Sequence, residues 1–305
     1  MIRGGRVLVV LAVVVTAVLA GCTDSRGGPR APGPTAAAPS GAESPAAGSP
    51  SPGPEPGNER PGTTAELAAV FGENVTPRTD GAFGLDRWSL VDTGVSAPSG
   101  TALRVWYPKG SSSPASSEKY GSPEGGMQTY LTVDGQGQDE AYLRYWVRFP
   151  ADFEFVRGGK LPGLFGGTKV SGGEHPDGTN GFSTRLMWRS GGAGEVYLYA
   201  PHESGTSLGR GNWTWPRGAW TCVEEQVVLN RPGEGDGAVT VWLDGSEVLT
   251  QRDILYRTVD QLRIEGIFFS TFFGGADPGW APDRDQHVDF AGFAFSDQRV
   301  GCPTG

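Results

Sequence analysis

The sequence predicts an all-β sandwich over residues 63–305, and three observations carry that prediction. Short runs rich in Val, Ile, Thr, Tyr, Phe and Trp recur between clusters of Gly, Pro, Asn and Asp. No long amphipathic helix interrupts them, and only 64–71 reads as a short helix. The run from Val239 to Leu249 places Asp244-Gly245 between two apolar alternations, supplying the two positive-φ positions of a type I′ hairpin turn.

Taken in chain order, the first segment is not part of that sandwich. Residues 1–21 combine an early basic stretch, Arg3 and Arg6, with the apolar run Val7 to Leu19, and end at Leu19-Ala20-Gly21-Cys22. The apolar run is shorter than the roughly 18–20 residues a spanning helix needs. It resembles a bacterial lipoprotein signal, which implies cleavage before Cys22, lipidation of that thiol, a membrane anchor through it and an extracytoplasmic location. Residues 22–62 are dominated by Pro, Gly, Ala and Ser with no apolar periodicity, so a disordered tether is expected. It would span about 35 Å as a coil and about 120 Å as polyproline II.

The expected strands are 102–107, 128–133, 140–149, 181–188, 195–200, 222–229, 238–243, 247–251, 266–273 and 286–295. The Ser/Pro/Gly-rich stretch 109–126 reads as a surface loop inside one domain. A pattern of many short strands means sandwich or barrel. The Asp-Gly hairpin resembles those of concanavalin-like jelly rolls, which implies a glycan-facing sheet without deciding between binding and cleavage.

Two of the expected strands carry the functional signal. Read with period 2, 181–188 puts Ser183, Arg185, Met187 and, just beyond, Arg189 on one face, with Phe182, Thr184, Leu186 and Trp188 on the other. In 195–200, Tyr197 and Tyr199 oppose Val196 and Leu198, and Ser190-Gly-Gly-Ala-Gly194 is a turn by composition. Pairing the odd positions of both strands collects Ser183, Arg185, Tyr197 and Tyr199 on one solvent-facing surface. The same residues also read as ordinary strand positions with Arg stacked over Tyr.

Charge supports a site there. The chain carries a formal −9, which loss of Arg3 and Arg6 with the leader would take to −11. Between Val156 and Arg217, seven basic residues face four acidic ones, a local +3. An acidic protein with a basic cleft fits an anionic polymer held locally, and the lack of an overall basic footprint argues against nucleic acid. Cys222 and Cys302 remain beside Cys22, and in an oxidising compartment they are expected to pair.

Four stretches then suggest a family. Lys160-Leu-Pro-Gly-Leu-Phe-Gly-Gly167, Phe182-Ser-Thr-Arg185, Val196-Tyr-Leu-Tyr-Ala-Pro201 and Gly266-Ile-Phe-Phe-Ser-Thr-Phe-Phe-Gly-Gly275 with Trp280-Ala-Pro282 resemble the family 14 polysaccharide lyases over about Tyr130 to Phe295. The resemblance implies a β-jelly roll that depolymerises polyuronates such as alginate or glucuronan by β-elimination. It places a catalytic lysine on Lys160, a serine and arginine on Ser183 and Arg185, and paired tyrosines on Tyr197 and Tyr199. Lys169, nearby, is a second position for the lysine and an expected substrate contact, with Arg189, His175 and Trp213.

Such a reaction needs these residue types. A C5 proton beside a carboxylate is barely acidic, so a cation must neutralise that carboxylate while a base takes the proton and an acid serves the leaving oxygen. One tyrosine, its pKa lowered from about 10 by adjacent cations, could fill both proton roles with Lys160 and Arg185 on the carboxylate and Ser183 orienting one of them. The alternative is a non-catalytic glycan-binding jelly roll using the same Arg and Tyr residues.

Other groups offer less. His175, His202 and His287 lack metal-ligand spacing, and no metal or cofactor is expected. Asp277, Asp283, Asp285 and Asp289 read as a solvated acidic edge. Glu224 and Glu225, adjacent on a strand, face opposite ways and cannot form a glycosidase pair. Trp213, Trp215 and Trp220 are the expected sugar-stacking indoles, and a monomer is expected.

Overall fold

A computed structural model describes residues 59–71, 75–93, 100–168, 170–275 and 277–303. The expected leader, Cys22 and nearly all of the tether lie outside the described residues. What is described is a β-jelly roll sandwich of two antiparallel sheets. The support sheet runs β1 (Glu59–Pro61), β3 (Trp88–Asp92), β4 (Thr101–Tyr107), β16 (Gln286–Ser296), β6 (Glu140–Arg148), β12 (Trp220–Val228), β13 (Gly237–Leu243) and β14 (Ser246–Ile254). The cleft sheet runs β11 (Glu203–Leu208), β10 (Gly194–Ala200), β9 (Gly181–Arg189), β8 (Gly163–Gly167), β15 (Gly266–Thr271), β5 (Met127–Val133) and β2 (Val75–Phe83), with β7 (Gly158–Lys160) also paired to β9.

Alternation builds the core. Leu143, Tyr145 and Val147 of β6 and Val223 and Val227 of β12 point inward, against Phe182, Leu186 and Trp188 of β9 and Val196 and Leu198 of β10. Each of the ten expected strands is present within a few residues of its predicted bounds. The helix α1 (Thr64–Phe71) buries Leu67 and Phe71 against this core. Asp244 and Gly245 have φ of 47° and 82°, as the β13–β14 turn requires, and Asp244 also accepts a hydrogen bond from the Cys222 N–H at 2.9 Å.

Two expectations are corrected, for the stretch 109–126 and for Asp289, while Asp277 stays at the surface. The stretch 109–126 contains a helix, α2 (Pro114–Tyr120), because Ser113 caps its first turn, proline opens it and Gly121 closes it at φ 68°. Asp289 is not on a solvated edge: it is fully buried, held by Arg104 at 2.7 Å and Arg148 at 2.7 Å, which keep its carboxyl below the usual range despite burial. Asp277 caps the 3-10 turn Pro278–Trp280 and pairs with Arg157 at 3.2 Å. The disulfide expected from the two cysteines is present: Cys222 and Cys302, with Cα atoms 5.9 Å apart, fasten the C-terminal segment to β12.

Candidate active site

The β9–β10 hairpin pairs as the alternation predicts, with Tyr197 opposite Arg185 and Tyr199 opposite Ser183. On the other flank of β9, β7 sets Lys160 opposite Met187. Since Phe182, Leu186 and Trp188 face the core, Arg185, Met187 and Tyr197 face outward, and Lys160 joins them there. The register between these strands slips by one residue. Lys160 pairs with Met187 and Phe165 with Ser183, so four residues, 161–164, oppose three, 184–186. That is a β-bulge. Lys160 and Phe165 are five apart and would otherwise point to opposite faces.

These side chains form the floor of a cleft of about 770 Å³, walled by Gln128, Phe272, Trp280 and the Gly172-Gly173 turn. Lys160 Nζ is 3.2 Å from the Tyr197 ring centroid and donates to Met187 Sδ at 2.8 Å. Arg185, 2% exposed, lies 4.5 Å above the Phe268 ring and donates through Nη1 to Ser270 Oγ at 3.1 Å. That hydroxyl donates in turn to Gln128 Oε1 at 3.1 Å. Arg189 donates to Glu195 Oε1 at 2.8 Å. The Tyr197 and Tyr199 rings meet edge to face at 5.7 Å, and Tyr199 Oη accepts from the Gly173 N–H at 3.2 Å. Gly205, at φ 85°, leaves room for the first phenol, since a Cβ there would lie 2.3 Å from Tyr197 Oη.

The electrostatics divide the proton chemistry. Burial, then the charges of Arg185 and Arg189, push the Lys160 ammonium well below the ordinary lysine value, against the opposing pull of Glu195. Burial and Tyr199 hold the Tyr197 phenol above its ordinary value, and Arg185 and Arg189 do not reverse that. The expectation of a lowered phenol therefore fails for Tyr197. Among the described residues, no group of three or more His, Cys, Asp or Glu is placed to hold a metal ion.

The profile of the polysaccharide lyase 14 family matches residues 95–293. The chain belongs to that family. The alginate lyase of family 14 from Aplysia kurodai is 30% identical over 78% of this chain and 97% of its own, with a TM-score of 0.65. Alginate lyase vAL-1 from Chlorella virus is 24% identical over 64% and 84% of the two chains, with a TM-score of 0.55. Alginate lyase Aly36B is 24% identical over 80% and 93%, with a TM-score of 0.61. Among curated proteins, none matches the chain in sequence.

In this polysaccharide lyase the sequence-predicted residues separate into three groups. Lys160, Arg185, Arg189, Tyr197 and Tyr199 converge on the cleft. They do so on a recessed floor and not on an open face, Tyr199 being 4% exposed. Five others, Ser183, His175, Trp213, Trp215 and Trp220, do not line it. Ser183 is fully buried and donates to Val170 O at 2.7 Å, so it ties down the loop after β8 and does not orient Lys160 or Arg185. His175 is exposed on that loop, 2.8 Å from Ser204 Oγ. Trp213, 5% exposed, packs edge to face on Trp215 at 5.9 Å. No sugar can stack on it, because the indole fills the space that Gly194 leaves without a Cβ. Trp220 lies on the support sheet beneath Arg148, at 4.8 Å. The third group, Lys169 and Cys22, falls outside the described residues.

Sequence reasoning missed Met187, Gln128, Phe272 and Trp280 as cleft residues. Met187 was visible through alternation, as it shares the Arg185 face. Phe272 lies in the phenylalanine-rich run 268–273, of which Phe269 and Phe273 belong to the core.

Proposed function

We propose that this polysaccharide lyase cleaves a uronate-containing polysaccharide by β-elimination, with Lys160 as base and Tyr197 as acid. The observation that carries the reading is the three basic side chains Lys160, Arg185 and Arg189 gathered around two phenols with one carboxylate, Glu195, among them. A uronate carboxylate would be neutralised by Arg185 and Arg189, which stabilises the charge that develops when C5 loses its proton. Lys160, with its pKa depressed, is the group most readily present as a free amine. It takes the C5 proton, the C4–C5 double bond forms, the C4–O4 bond breaks, and the Tyr197 hydroxyl supplies a proton to the departing oxygen. Protonating Lys160 creates a cation over the Tyr197 ring, which favours phenolate at the moment the phenol must give up its proton. Solvent then exchanges the two protons and resets the pair.

The alginate lyases to which the chain is similar support a polyuronate as the class of substrate. The expected leader, and a disulfide that suits an oxidising compartment, support display outside the membrane through lipidated Cys22. Incubating the full chain with alginate and glucuronan should give the ultraviolet absorbance of an unsaturated uronate. Lys160→Ala and Tyr197→Phe should abolish it without abolishing binding. A wild-type protein that binds such polymers and never develops absorbance would be a glycan-binding protein instead.

A further inference from the structure

Lys160 reaches the cleft only because of the bulge at residues 161–164, and a bulge leaves backbone groups without ladder partners. Two of those groups are satisfied from the other sheet, through the core. Tyr145 of β6 donates its hydroxyl to Pro162 O at 3.1 Å. Glu225 of β12 accepts the Leu164 N–H through Oε2 at 3.1 Å. Both side chains are inward-facing, Tyr145 1% exposed and Glu225 fully buried. Glu225 stands beside Leu143 and Val241 in its own sheet, both core residues. A carboxyl at an apolar sheet interface is costly and is unexplained by packing.

We propose that Glu225 and Tyr145 are positioning residues that clamp the bulge from the opposite sheet and thereby aim Lys160 at the reacting carbon. The inference rests on the role of Lys160 in the reading above. Three further contacts tie the clamp to the site. The Lys160 N–H donates to Phe272 O at 2.9 Å and the Leu161 N–H to Leu186 O at 2.8 Å, so the lysine and the bulge's first residue are held at fixed register. A Cβ on Gly163 would lie 2.6 Å from the Cα of Arg185, so the bulge also packs directly on the backbone of the cleft's arginine. Motion in the bulge would therefore move the amine and the guanidinium relative to each other. Misplacing a catalytic group by about 1 Å can cost on the order of 100-fold in rate.

The clamp works as a neutral group. Burial pushes the Glu225 carboxyl up to about 8, with the Thr184 hydroxyl and the Leu164 N–H pulling the other way. Its ionisable neighbours are phenols, Tyr145 and Tyr256, both raised well above the ordinary value chiefly by burial. An amide can thus replace the acid at this position with the acceptor retained.

The test uses the full chain with Glu225→Gln, Glu225→Leu and Tyr145→Phe. Two readouts are taken: kcat and KM on a polyuronate by ultraviolet absorbance, and the titration midpoint of the Lys160 amine by NMR after 13C reductive methylation. The midpoint is set by Arg185, Arg189, Glu195 and burial, so it reports where the amine sits whether or not turnover occurs. Glu225→Gln should keep kcat within about twofold and leave the midpoint in place. Glu225→Leu and Tyr145→Phe should lower kcat by about tenfold or more with a smaller change in KM, and move the midpoint up toward an ordinary lysine. Should Glu225→Leu fail to fold, Tyr145→Phe, which removes one oxygen from an otherwise unchanged core, carries the test alone. An unchanged kcat and midpoint in Tyr145→Phe, or equal damage from Glu225→Gln and Glu225→Leu, would overturn the clamp. A wild type without turnover would overturn the proposed function, while the Lys160 midpoint would still decide the clamp.

Discussion

Two buried charge clusters occupy the outer faces of the two sheets, and they are built to opposite rules. On the support sheet, Asp289 accepts from Arg104 at 2.7 and 3.1 Å and from Arg148 at 2.7 and 3.2 Å, so both carboxylate oxygens are engaged by guanidinium groups. On the cleft sheet, among the described residues, Glu195 is bonded to Arg189 alone by hydrogen bonds, with Arg210 at 3.8 Å, while Lys160 and Arg185 have only a thioether, a hydroxyl and aromatic faces. The first cluster is complete without a ligand. The second leaves a net positive charge in a desolvated cleft, where an incoming carboxylate would meet cations that water screens little. Satisfied charge is a structural device, and unsatisfied charge in a cleft marks where a ligand belongs.

Breaking each cluster should therefore give different phenotypes. Lys160→Ala should lower kcat by roughly 10²–10⁴-fold, the range for a general base, with little loss of melting temperature. Asp289→Ala should do the reverse: it strands two cations and should cost about 3–5 kcal/mol in chemical denaturation, while the folded fraction keeps its specific activity. Replacing Cys222 and Cys302 by serine should cost about 2–4 kcal/mol by the same measurement, and also spare kcat. The smallest effect sharpens the comparison most. Arg189→Gln removes one of the charges that depress Lys160, so the midpoint of the pH–rate profile should move upward; an unmoved midpoint would mean that burial and Arg185 set it without Arg189.

Glu225 adds a stability test with a definite sign. Its carboxyl titrates at about 8 when folded, above its unfolded value of 4.5. Between those values the folded state binds more protons than the unfolded state, so stability falls as pH rises through that window. Glu225→Gln should flatten that decline in denaturation curves recorded across it.

How much of this was legible in the sequence depended on what local pattern encodes. Alternation gave the Arg185–Tyr197 pairing because strand side chains have period 2, and the Asp244-Gly245 turn announced itself by its chemistry. Four of the six strands that escaped notice lack alternation. β7 is two glycines and a lysine, β8 is three glycines around Leu164 and Phe165, β2 contains Pro77 and Gly81, and β11 is a polar strand at the sheet edge. The family resemblance pointed to Lys160, but its route to the cleft face is a register shift between two of those silent strands, which no periodicity can report. Trp213 shows the same limit from the other side: its burial depends on the missing Cβ of Gly194, nineteen positions away. Helix α2 is the instructive miss, since Ser113, Pro114 and Gly121 are cap signals that composition alone averaged away.

Elimination in this cleft requires a neutral Lys160 beside protonated Tyr197. The most direct measurement is the pH dependence of kcat/KM on a polyuronate, which reports the ionisations of the free enzyme. Activity should rise with pH through a midpoint below that of an ordinary lysine, as the amine loses its proton, and this limb should vanish with Lys160→Ala. A rising limb in the carboxylate range, or one that survives in Lys160→Ala, would contradict it.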